Sequence, residues 1–195
     1  EDNLEETLDG FRDKRGEGAP ERTVPPIEMT KPKPLIVEEK SGITQTYLCM
    51  GARTVNSSHK DTPALDLIST LLGGGTSSRL FTELREKYAV TYDVSSAHCK
   101  GRDFGYFSIN CAVNNNKVDK TRALIFKELS KLRETNITHE ELERVKQIML
   151  GGVLRGMDNP HDCYEIIMFM EMQHKNECAL KNYVEKIKAV TISDI

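Results

Sequence analysis

No apolar run in this chain approaches the ~20 residues that span a bilayer, and the acidic opening EDNLEE has neither the basic nor the apolar character of a signal peptide. A chain without a membrane span, in a soluble compartment, is expected. Excess positive charge is missing as well. With 27 Lys and Arg against 30 Asp and Glu the net charge is −3, which leaves nucleic acid without an electrostatic footprint. The five cysteines, Cys49, Cys99, Cys111, Cys163 and Cys178, are odd in number and have no C-x-x-C spacing. Reduced, buried thiols in the cytoplasm or another reducing compartment are expected in place of a disulfide framework. What remains, 38% hydrophobic and 29% charged over 195 residues, suits one globular domain plus an appendage.

Histidine is scarce enough for metal chemistry to be audited completely. The five are His59, His98, His139, His161 and His174, and neither H-E-x-x-H nor H-x-x-E-H occurs, although a zinc peptidase needs two histidines one helical turn apart to face one metal. The nearest approach, His139-Glu140-Glu141-Leu142-Glu143, reads more simply as an acidic first helical turn, where carboxylates complement the helix dipole. His161-Asp162-Cys163 points three groups in divergent directions after Pro160. No metal site is expected in this chain. G-x-x-x-x-G-K-[ST] and G-x-S-x-G are absent too, which removes a phosphate loop and a serine-nucleophile elbow.

The first thirty-four residues, punctuated by Pro20, Pro25, Pro26, Pro32 and Pro34, read as a linker or arm. Beyond them LIVEEK, residues 35–40, and Ile43 to Met50 read as strands, the second with Thr44, Thr46, Leu48 and Met50 on one side. Asp61-Thr62-Pro63 starts a helix whose stripe is Ala64, Leu65, Ile68, Leu71 and Leu72 and whose stop is Gly73. Ser77 or Ser78 caps a second helix, with Leu80, Phe81 and Leu84 inside and Arg79, Glu83 and Glu86 wet. Tyr92 to His98 and the alternating Phe107, Ile109, Cys111 and Val113 flank the turn Lys100 to Asp103 as an antiparallel hairpin. Helices follow over Val118 to Arg133, from the capping-box pair Thr138 and Glu141, over Cys163 to Gln173, and over Ala179 to Ala189. The order of these elements predicts an α+β fold, one antiparallel sheet covered by helices.

The stretch from Leu71 to Ser96, LLGGGTSSRLFTELREKYAVTYDVSS, combines a glycine triplet with a charged amphipathic segment. Two glycines already serve a helix–helix turn, so the third suggests that something passes close by. Arg85 in a last helical turn can simply complement the dipole, and Tyr92 can be an ordinary strand residue with its ring half buried. The alternative is that guanidinium and phenol converge to hold a peptide carbonyl or stabilise an oxyanion. On spacing alone the plainer reading is the stronger.

This stretch resembles the segment G-G-G-x-S-S-R-L-F-x-x-[LV]-R-E-x-x-x-x-x-Y of the pitrilysin and mitochondrial-processing-peptidase family, and a looser likeness runs from about Pro34 to the C-terminus. The resemblance implies paired homologous α+β domains facing each other across a chamber, one binding zinc through H-x-x-E-H and the other without the motif. This chain is similar to the second, zinc-free domain. Arg85 and Tyr92 are then expected to contact substrate backbone, with Gly73, Gly74, Gly75 and Thr76 as a loop beside the chamber. Zinc is expected only in a homologous partner domain, in the same polypeptide or a separate subunit, and a homodimer is compatible. The domain would occupy 35–195, stopping before the family's last helix and strand, with 1–34 as a linker from an upstream domain. Where the family commonly has glycine-leucine, this chain has Ala89-Val90. The implied function is the non-catalytic half of a zinc endopeptidase acting on peptides, the chain alone being inactive. A catalytically inert scaffold of the same fold, similar to the core proteins of respiratory complexes, is the alternative, and an unrelated α+β binding module ranks last.

Overall fold

The structure, a computed structural model, describes residues 42, 44–172 and 179–195. The expected arm, the strand expected over 35–40 and Cys178 lie outside the described residues. Alternating apolar side chains build three antiparallel strands, β1 (Gln45–Arg53), β2 (Thr91–Lys100) and β3 (Gly105–Asn114), in the order β1-β3-β2. β3 is therefore central, pairing Gln45 through Arg53 of β1 with Asn114 through Tyr106, and joined to β2 by the expected hairpin. Its inward residues Ile109, Cys111 and Val113 are buried, and Leu48 and Met50 of β1 pack beside them.

Helix α1 (Thr62–Gly73) has Pro63 in its first turn, where the missing N–H costs nothing. Asp61 stands at its N-cap position, yet its side chain makes no capping hydrogen bond and lies 3.6 Å from His59 Nδ1 instead. The buried face is rotated from the expected stripe: Ala64, Leu67, Leu71 and Leu72 are inside, while Leu65 and Ile68 are only half buried. α2 (Val118–Glu134), α3 (His139–Asp158), α4 (Pro160–Met172) and α5 (Ala179–Ala189) follow. Thr138 and Glu141 form both hydrogen bonds of the expected capping box at the start of α3. One core, with Leu72, Leu80, Leu84 and Ile125 fully buried, fills the space behind the sheet; a second joins α1 to α3 and α5 through Leu67, Leu142, Val145 and Ile187. Each such side chain contributes about 1.5–3 kcal/mol of hydrophobic stabilisation.

Asp66 explains the rotation of α1. It is 5% exposed and faces inward because three donors meet it: Tyr183 Oη of α5 at 2.5 Å, His98 Nδ1 of β2 at 2.8 Å, and Lys100 Nζ of β2. A buried carboxylate is tolerated only when paired and hydrogen-bonded. His98 Nε2 lies 3.0 Å from the Thr54 hydroxyl, so a ring that donates from Nδ1 accepts there from Thr54. Burial first, then the Asp66 charge, push the Tyr183 phenol far above its usual range.

Three further expectations are corrected. Glu83 is not on a wet face but 8% exposed, because Lys87 one turn on reaches it at 3.2 Å and that contact raises the lysine's own pKa. Arg79 is not free in solvent either; it bonds Glu141 through two nitrogens at 2.9 and 2.8 Å. The thiols are likewise not uniformly buried. Cys49 is exposed, Cys99 and Cys163 are half buried, and only Cys111 among the described four is interior, where burial raises its pKa to about 11.

Candidate functional site

The segment after the glycine loop does not continue as an α-helix. Phe81–Lys87 is π-helical, closed by Tyr88 N–H to the Glu83 carbonyl at 3.2 Å, and Val90 N–H then reaches the Leu84 carbonyl at 2.9 Å. The wider turn is a local irregularity of the kind that re-aims side chains at functional sites. Ala89 follows with φ of 47°, a left-handed conformation that reverses the chain into β2. Its carbonyl accepts from Lys117 Nζ at 2.8 Å.

β2 then begins with an irregularity. Thr91 opposes Val113 and Asp93 opposes Ala112, leaving Tyr92 as the extra residue of a bulge. The Thr91 hydroxyl stitches this bulge, lying 2.6 Å from the Ala112 carbonyl and 2.7 Å from the Asp93 carbonyl. As a result Tyr92 projects outward, 77% exposed rather than half buried. The Arg85 guanidinium carbon sits 4.5 Å from the Tyr92 ring centroid and 4.8 Å from that of Phe81, within cation–π range.

Arg85 and Tyr92 thus share one cleft of about 440 Å³, whose wall also includes Gln45, Thr91, Asn114 and Lys117. Gln45 and Asn114 are directly paired across β1 and β3. The structure brings together Arg85 and Tyr92, the two residues singled out in the sequence; Lys117, Gln45 and Asn114 line the same cleft from elements distant in sequence and were not anticipated. The loop Gly73 to Thr76 is not brought into this cleft. Gly73 is buried against the middle of β2, where an added Cβ would lie 2.3 Å from Ser96 N, and Gly75 is exposed with φ of 114°. What passes close to the triplet is the chain's own strand.

The donor set of the cleft, two cations, a phenol and two carboxamides, offers no ligand set for zinc. Among the described residues no group of three or more His, Cys, Asp or Glu side chains could hold a metal, and no helix is long and apolar enough to cross a membrane. A second cleft of about 430 Å³ lies around the Arg79–Glu141 pair. There the Arg79 hydrogen bond, with the Thr138 backbone bond, holds the Glu141 carboxyl below its ordinary range.

A three-stranded antiparallel sheet with helices packed against it defines an α+β domain. Residues 1–149 match the family model described as the peptidase M16 inactive domain, and the chain belongs to that family. It is 27% identical over 162 residues to an uncharacterized zinc protease of Mycobacterium leprae, covering 83% of this chain and 36% of that protein. A protease structure from Helicobacter pylori superposes with a TM-score of 0.74 at 26% identity, covering 80% of this chain and 38% of that one. The inactive peptidase domain of a zinc protease from Bordetella parapertussis has the same fold, with a TM-score of 0.69 at 17% identity, covering 82% of this chain and 86% of that one. The chain spans about a third of the length of the curated relatives it matches.

Proposed function

We propose that this chain is the substrate-binding, non-catalytic half of a split peptidase site. Arg85 and Tyr92 bind the backbone of a peptide, while the zinc and its activated water belong to a homologous partner domain in the same polypeptide or another subunit. The single observation that carries this reading is the convergence of Arg85 and the bulged Tyr92 in one open cleft. A guanidinium held by two rings loses little entropy on donating to a peptide carbonyl, and a phenol beside it adds a second donor. Both are suited to an oxygen that gains negative charge as the carbonyl is attacked. The loop Gly73 to Thr76 would border the chamber away from these two residues. The domain would occupy 35–195. The four free described thiols support a reducing compartment such as the cytoplasm.

The test is kinetic, in the protein assembled with its zinc-bearing domain. Arg85→Ala is expected to lower kcat/KM by about 100-fold or more, the scale of losing a charge-stabilising donor, and Tyr92→Phe by less. Wild-type kinetics in both variants would instead support an inert scaffold of the same fold.

A further inference from the structure

The Arg85 cleft has an unbalanced charge. Among the described residues two cations line it, Arg85 and Lys117, and no carboxylate does. Among the described residues neither cation meets a carboxylate: the contacts of Arg85 are the Phe81 and Tyr92 rings, and that of Lys117 is the neutral Ala89 carbonyl. Five other cations, Arg79, Lys87, Lys100, Lys131 and Lys146, each meet a carboxylate. The bond to Ala89 uses one of three ammonium hydrogens and anchors Lys117 at the cleft, leaving two donors. Gln45, Asn114 and the Tyr92 phenol add neutral donors on the same wall.

A peptide carbonyl is neutral and would leave both of these cations without a counter-charge. We propose that the cleft selects peptides bearing a carboxylate near the bound segment, with Lys117 as the specificity-determining residue beside Arg85; this rests on the reading that Arg85 and Tyr92 contact peptide. The carboxylate can come from an acidic side chain or from a C-terminus, which share the chemistry of a planar anion accepting charge-assisted hydrogen bonds.

Calorimetric titration of the chain separates these sources. Three probes are used: an acetylated, amidated pentapeptide with a central glutamine, the same peptide with glutamate there, and the glutamine peptide with a free C-terminal carboxylate. One or both carboxylate peptides are expected to bind about tenfold more tightly than the neutral one, the fold-change of a single charge-assisted hydrogen bond. Added salt should shrink that ratio. Lys117→Gln, which keeps a donor for Ala89, should bring the ratio close to one, and Lys117→Arg should restore it. Equal binding of all three by the wild type, or a preference that survives Lys117→Gln, overturns the inference while the peptide-contact reading stands if Arg85→Ala weakens every probe. No binding of any probe, or indifference to Arg85→Ala, overturns both.

Discussion

Replacing Gly73 by alanine tests the joint on which the placement of β2 depends. An added Cβ would lie 2.3 Å from Ser96 N, 2.6 Å from Ser96 Oγ and 2.8 Å from Ser95 C, against the ~3.5 Å or more of ordinary contact. Rotamer changes cannot relieve this, because two of the three atoms are backbone in a paired strand, with Ser95 and Ser96 opposite Asn110 and Ile109. The end of α1 must retreat by about 1 Å, lifting Leu71 and Leu72, which are 2% and 0% exposed. Overpacking of this kind costs about 1–3 kcal/mol. Stretching the 2.7 Å bond from the Ser96 hydroxyl to the Ser69 carbonyl adds about 1 kcal/mol. The expected loss is therefore about 2–4 kcal/mol, or roughly 5–15 °C in Tm for a chain of this size. Since the chain has no tryptophan, urea unfolding is best followed by far-ultraviolet circular dichroism. A loss under about 1 kcal/mol, with Ser96 amide shifts unchanged, would refute the tight α1–β2 approach.

Two other outcomes follow from particular residues. Ala89 holds φ of 47°, which costs a non-glycine residue about 1–2 kcal/mol, so Ala89→Gly is expected to raise thermal stability by about 1 kcal/mol net of added chain entropy; an unchanged or lower Tm would contradict it. Glu141 has a folded pKa below its unfolded value, so its contribution is present above the unfolded pKa and fades as pH falls through the folded one. Glu141→Gln should therefore be less stable than wild type at neutral pH, with the gap closing as acid protonates the Glu141 carboxylate; a gap independent of pH would sink the assignment.

Local chemistry made much of the fold legible. The alternation of Phe107, Ile109, Cys111 and Val113 marked the central strand, Pro63 marked the start of α1, and Thr138 with Glu141 marked that of α3. Long-range partners were invisible. Asp66 turns inward on account of residues from β2 and α5, and Arg79 leaves solvent for Glu141, 62 positions away. The π-helical winding escaped because Leu80, Phe81 and Leu84 satisfy an α-helical period equally well, and only the later bonds of Tyr88 and Val90 distinguish the two. At the site, Arg85 and Tyr92 were legible as a motif. Lys117 was not, since nothing in Asn114-Asn115-Asn116-Lys117 announces that this lysine reaches the Ala89 carbonyl across the sheet's end.

The carboxylate of Asp66 also links stability at one end of the chain to the other. Its bond from Tyr183 closes a separation of 117 residues, while His98 and Lys100 come from a hairpin built of near neighbours. Without those two donors the buried carboxylate would keep only the phenol, so damage to the hairpin is felt at α5, where the Lys146 ammonium on the Lys188 carbonyl is a separate polar tie.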